Sequence, residues 1–244
     1  MKPLELAWEQ YRLERKLFWR NPSAAFFSFI LPLSLLLLVA SVFASEPDEL
    51  DVLIPGVAGM SVMATTFNAL ALNVTFRREQ GILKRVRGTP MPAVSYFAGS
   101  LGNAVANALV QVALVVVIGH LLYDVSWPRD WLALIVFSVA GVVTFGALGV
   151  ALAHAIPNYD SAAAYVNALF LPAILISGVF YSTDALPAVL DAVARALPLE
   201  HVIHGLSGAI VTGTGIGSNL DDLAVIALWA AAGLVLAVRG FRWE

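Results

Sequence analysis

The most restrictive feature of this chain is a series of long apolar runs separated by short polar connections. A helix crossing a bilayer needs about 20 mostly apolar residues to traverse a hydrocarbon core of about 30 Å. Six such segments can be placed along the sequence, over about 23–44, 52–76, 93–122, 131–153, 161–181 and 223–238. The expected fold class is therefore all-α, a polytopic membrane protein of six transmembrane helices. Composition agrees: 13% of residues are charged and 59% hydrophobic, whereas soluble domains average about 25% charged residues. Little chain remains for a separate soluble domain.

Charge placement sets the expected orientation. With the N-terminus inside, six spans put Lys2, Arg12, Arg15, Lys16, Arg20, Arg77, Arg78, Lys84, Arg85, Arg87, Arg239 and Arg242 in the cytoplasm, twelve of the fourteen Lys and Arg residues. Arg129 and Arg195 face out. This follows the positive-inside bias and predicts a multi-pass protein of the cell (inner or plasma) membrane with both termini cytoplasmic. Residues 1–22 read as an amphipathic interfacial helix, with Leu4, Trp8, Tyr11 and Phe18 near one face, and 23–244 as the six-span membrane domain. Glu5, Glu9 and Glu14 among the early basic residues are unlike a cleavable leader, so this segment is expected to be retained. An acidic loop with Glu46, Asp48, Glu49 and Asp51 should join the first two spans. Cysteine is absent, which excludes disulfides, thiol nucleophiles and Cys-ligated metals.

No span carries Asp, Glu, Lys or Arg in its central part. Ionisable groups at membrane depth mark proton relays and ion-coupled carriers, so their absence argues against an ion-coupled secondary transporter. That alternative stays open because broken helices can bind sodium through carbonyls, as does a membrane scaffold that transports nothing. Uncharged polar residues do recur at helical spacing: Ser61, Thr65 and Asn68 in the second span, and Asn103, Asn107 and Gln111 in the third. They read either as interhelical hydrogen bonds or as the wall of a substrate path.

The region 182–222 differs from the rest. Asp184 to Pro187, the amphipathic run with Leu190, Val193 and Leu197, and then Pro198 predict short helices that dip into the bilayer and pack against the bundle. Glu200, His201 and His204 could gather on one turn, but an H-x-x-H spacing beside one acid is weak, so no metal is assigned; polar residues at a helix end near the outer interface explain them. His120 and His154 also fall near span ends. Residues 212–218, TGTGIGS, lack the Lys of a phosphate loop and read as a flexible connector. With no nucleotide site and no Ser/His/Asp arrangement, the chain is expected not to be an enzyme, to hold no cofactor and to bind no nucleic acid.

The stretch 77–92, RREQGILKRVRGTPMP, packs five of the fourteen basic residues between two apolar runs. One reading is an ordinary positive-inside anchor. The other is a short helix over Arg77–Val86, with Glu79 near its start and Lys84, Arg85 and Arg87 near its end to suit the helix dipole, capped by Gly88 and stopped by Pro90. Such a helix would offer a rigid charged surface to another protein.

The run EQGILKRVRGTP over 79–90 resembles the E-x-G-T-L-x-R-L-R-x-T-P segment of type-2 ATP-binding-cassette (ABC) exporter permeases, the daunorubicin-resistance-like group. Asn21-Pro22 after a basic amphipathic helix is similar to that family's entry to the first span. Ser177-Gly178-Val-Phe180, Leu186-Pro187 and Leu197-Pro198-Leu199 are similar to its stretch between the fifth and sixth spans. Departures are Ile82 for the commoner Thr, Gly88 for a larger residue, and Ser207-Gly208 where Arg is frequent. The resemblance implies a coupling helix between spans two and three, with Arg78, Glu79, Gly81, Lys84, Arg85, Arg87, Thr89 and Pro90 meeting a separate ABC ATPase subunit that holds ATP and Mg. It also implies re-entrant outer helices marked by Ser177, Gly178, Phe180, Pro187 and Pro198, and a second permease copy or homologous permease. The implied function is export of an amphiphilic or hydrophobic substrate (drug, lipid or lipid-linked product) by alternating access, with polysaccharide or haem export as alternatives.

Overall fold

The computed structural model describes residues 3–42, 47–183 and 186–240, and every regular element among them is helical. Expectations on Lys2, Glu46, Asp184 and Arg242 lie outside the described residues. The helices are α1 (Pro3–Trp19), α2 (Pro22–Val42), α3 (Pro47–Met63), α4 (Ala69–Glu79), α5 (Ile82–Arg87) and α6 (Ala93–Tyr123), followed by α7 (Trp131–Ala155), α8 (Tyr159–Ile176), α9 (Ala188–Ala194), α10 (Pro198–Ser207) and α11 (Leu220–Gly240). A π-helical turn, Ala64–Asn68, joins α3 to α4 in one rod.

Among the described residues, five helices are long and apolar enough to cross a membrane: Glu49–Glu79, Ala93–Tyr123, Trp131–Ala155, Tyr159–Ile176 and Ile216–Arg239. The helix α2 (Pro22–Val42, 21 residues) falls on the first expected span, and its described apolar part is Ser28–Val42. Burial ranks them. The α3–α4 rod and α7 are the most enclosed, with 83% and 67% of their apolar windows buried against 22% for α8 and for the span that contains α11. Fully buried Leu53, Ile54, Phe137, Phe145, Leu206 and Ile226 form the core around that central pair.

Three local expectations are corrected. Asp48, Glu49 and Asp51 stand in the opening turns of α3 rather than in a loop, and the acid of Glu49 there complements the exposed N–H groups of a helix start. The fifth apolar run is helical only to Ile176, because Gly178 takes φ +72° and turns the chain. The single helix expected over Arg77–Val86 is two helices: α4 ends at Glu79, Gly81 adopts φ +67°, and α5 starts at Ile82. A left-handed residue costs most side chains about 1–2 kcal/mol and glycine almost nothing, so the break sits on the glycine.

Side-chain contacts place α1 alongside the start of α6. Ser95 Oγ donates to the Pro3 carbonyl, Ser100 Oγ to Glu14, and Arg15 to Asn107 Oδ1 at 2.7 Å, so both helices advance in the same direction. Its inward side is polar, with Gln10 and Glu14 buried, while Leu4 and Trp8 are exposed. At about 1.5 Å per residue α6 is about 46 Å long, well beyond a hydrocarbon core of about 30 Å. The excess at its start is the part that α1 covers.

Short helices α9 and α10 pack against the bundle. Pro187 precedes α9 as its cap and Pro198 opens α10. The start of α10 lies beside the middle of its neighbours, where Pro198 and Leu199 share a cleft with Phe67, Phe145 and Trp229; its other end leads to Ala209, whose carbonyl accepts from the Arg129 and Asp130 amides before α7.

Candidate functional site

These elements bring side chains together in four places. The first is the joint between α4 and α5. Arg77, Arg78 and Glu79 are each engaged by another part of the bundle: Arg77 forks onto Glu14 at 2.5 and 2.8 Å, Arg78 donates to the carbonyls of Ala153 and Ile156 at the end of α7, and Glu79 accepts from the Tyr159 amide at 2.7 Å at the start of α8. They staple the end of α4 to α1, α7 and α8, while Glu79 stays exposed. Beyond the Gly81 bend, Leu83 is 1% exposed and plugs α5 into a small cluster with Leu70, Val74, Tyr96, Val150 and Ala153. Lys84, Arg85 and Arg87 consequently point outward and are exposed, and none of them makes an ion pair among the described residues. Thr89 closes the turn by donating to the Val86 carbonyl at 2.6 Å, and exposed Pro90 follows. Gly88 ends α5 with φ −75°.

The second is a buried polar network beneath that joint. Glu14 accepts from Gln10 at 2.8 Å, from Ser100 at 3.0 Å and from Arg77, while Arg77 also donates to the Tyr96 hydroxyl at 2.7 Å. Burial alone would raise the Glu14 pKa, but the hydrogen bonds and charge of Arg77, helped by Ser100 and Gln10, outweigh it and hold the carboxyl below its ordinary value.

Beside the network lies a cavity of about 70 Å³ that Thr65, Asn103 and Asn107 help to line. Of the six polar residues read as a possible substrate path, these three are brought together. Ser61 and Thr65 donate back to the Val57 and Ser61 carbonyls of their own rod, Asn107 holds Arg15, and Gln111 is fully buried with its amide 3.4 Å from the Phe29 carbonyl. The side-chain carbonyls of Asn68, Asn103 and Gln111 have no hydrogen-bond partner among the described residues.

The third is the turn after α8. Val179 is fully buried, and its carbonyl sits so close to Gly56 of α3 that a Cβ there would fall 2.0 Å from it. Ser177 is buried as well. Phe180 is half-buried on the main core.

The fourth gathers Glu200, His201 and His204 of α10 around Asp222 of α11. His201 Nδ1 lies 2.7 Å from Asp222 Oδ1 and its Nε2 lies 2.9 Å from the Arg195 carbonyl. His204 Nδ1 lies 2.8 Å from Asp222 Oδ2. The group opens into a cavity of about 480 Å³ that Ser177, Gly178 and Thr183 also line.

Two central residues escape a reading of the sequence. Glu14 looks like one more surface charge on an amphipathic helix; its only hint is that Gln10 precedes it by four residues, on the same face. Asp222 lies just outside the last apolar run as written from hydropathy, and nothing in the sequence ties it to His201.

The ABC-2 type transporter family model matches residues 8–211. Among curated proteins, the chain is 28% identical over 201 residues to the daunorubicin resistance ABC transporter permease protein DrrB1 of Streptomyces coeruleorubidus, covering 73% of this chain and 68% of that protein. It is 24% identical over 176 residues to nodulation protein J of Sinorhizobium fredii, covering 70% and 66%, and 19% identical over 187 residues to the linearmycin resistance permease protein LnrN of Bacillus subtilis, covering 76% and 48%. The chain thus spans about half to two thirds of the length of these relatives. Because the family match runs from within α1 into the turn that follows α10, the chain belongs to the ABC-2 type transporter family.

Proposed function

We propose that this chain is the transmembrane subunit of an ATP-driven exporter and that α5 is the surface through which a separate ABC ATPase acts on it. The observation that carries the reading is the build of α5: three exposed cations, Lys84, Arg85 and Arg87, on a six-residue helix pinned by buried Leu83 and clamped between α4 and α6. A chain with no catalytic chemistry of its own takes its energy from a partner, and ATP and Mg belong on that partner. Force on α5 would pass through Leu83 and the Arg77, Arg78 and Glu79 contacts to α1, α7 and α8 together. Two permeases, identical or homologous, would then rock between inward and outward states.

The proposed cargo is amphiphilic or hydrophobic. A cleft of about 550 Å³ lined by Met63, Phe67, Phe145, Leu169 and Trp229 is almost wholly apolar, and two relatives are named for resistance to daunorubicin and linearmycin. The joint change Lys84→Glu, Arg85→Glu and Arg87→Glu tests the coupling surface. Because exposed substitutions of this kind shift stability by only about 0.5 kcal/mol, the variant should fold normally but lose co-purification with the ATPase subunit and lose transport. Transport at the wild-type rate in that variant would refute the assignment. Glu79 is a poor choice for the same experiment, since its replacement also frees the Tyr159 amide.

A further inference from the structure

We infer that Glu200, His201 and Asp222 form a binding site for a divalent transition cation of the zinc class. One ligand atom from each of the three lies within 4.8 Å of the others. Glu200 Oε2 is 3.6 Å and Asp222 Oδ1 is 2.7 Å from His201 Nδ1, against about 3.3 Å between donors around a tetrahedral ion with bonds of about 2.0 Å. Small side-chain rotations, with release to solvent of the proton that His201 Nδ1 shares with Asp222, admit the ion.

The supporting shell is already in place. A metal-bound imidazole typically donates its other N–H to a carbonyl, which fixes the tautomer and the ring orientation; His201 Nε2 faces the Arg195 carbonyl at 2.9 Å. Ligating carboxylates are in turn hydrogen-bonded, and Asp222 Oδ2 is held by His204 Nδ1 at 2.8 Å, leaving Oδ1 for the ion. His204 is thus a positioning residue. Charge matches too, because two carboxylates balance a dication. The Arg195 guanidinium lines the same cavity and has its own counter-charge in Asp191 at 2.9 Å. An imidazole nitrogen in the donor set favours zinc-like ions over magnesium or calcium, which prefer all-oxygen sites. The cavity of about 480 Å³ supplies an entry path and room for a water in the fourth position.

The ion would bridge α10 to the first turn of α11, tying a short helix to a membrane-crossing one. The test is a Zn²⁺ titration of the chelator-stripped full-length protein in lipid nanodiscs, with Mg²⁺ as comparison. One equivalent of Zn²⁺ per chain and a raised thermal midpoint are expected, with no response to Mg²⁺. Asp222→Asn and His201→Gln should each weaken Zn²⁺ binding at least about tenfold, His204→Gln by about tenfold, and His120→Ala not at all. Failure of the wild-type protein to retain Zn²⁺, a readout that needs no variant to fold, would overturn the proposal. So would equal affinity in Asp222→Asn, which would put any bound ion elsewhere.

Discussion

Glu14 and Arg77 have side chains only 10% and 16% exposed, and removing one partner of such a pair leaves an uncompensated charge at a cost of about 3–5 kcal/mol. Glu14→Gln should therefore lower the thermal midpoint of the purified protein. The same residue predicts a pH response. Its pKa in the folded protein is depressed, so its stabilisation is complete above the unfolded value of about 4.3 and is lost as pH falls through the lower folded value. Thermal unfolding followed from about pH 6 to about pH 3 should show that loss in the wild-type protein and a flatter profile in Glu14→Gln. Parallel profiles would mean that the pair does not carry the acid sensitivity. No reading of local sequence finds this pair, since its members are sixty-three positions apart and meet only because α1 lies along α6.

At the level of elements, glycines decide where rods stop and how closely they approach. Gly81 bends the chain at φ +67° with open space around its Cα, so Gly81→Ala is penalised by conformation and not by collision, by about 1–2 kcal/mol. Relief of that strain favours running α4 straight into α5, which would pull Leu83 from its pocket and move the three exposed cations. The expected result is a folded protein with weakened ATPase binding, measured by co-purification beside the wild type; unchanged binding would show that the bend is dispensable. Gly56 acts differently, through the close approach of Val179. The helical character of α6 and α7 was legible from their long apolar runs. The break in the basic stretch was not, because good helix formers flank Gly81 on both sides and the groups that hold Arg77, Arg78 and Glu79 come from helices distant in sequence.

For the whole molecule, the exposed surface is rich in large apolar side chains, among them Leu38 at 68%, Leu228 at 70% and Val238 at 76% exposed, as a lipid-facing bundle requires and a water-soluble one could not tolerate. The Lys and Arg distribution predicts which end faces the cytoplasm. Because the chain has no cysteine, single reporters can be introduced without background. Arg85→Cys should react with an impermeant thiol reagent only from the cytoplasmic side, and Thr214→Cys only from the opposite side; the reverse pattern would invert the proposed orientation.

Hydropathy and the lengths of the apolar runs determined by themselves that this chain is a helical, multi-pass membrane protein. They suffice because each crossing helix satisfies its backbone within its own segment, a property read from consecutive residues. The staple at Arg77, Arg78 and Glu79, the outward face of α5 and the Glu200, His201 and Asp222 cluster were decided by tertiary structure alone. Each depends on which helix face meets which neighbour, and in an apolar bundle that is settled by a few buried polar contacts and close backbone approaches between residues far apart in the chain.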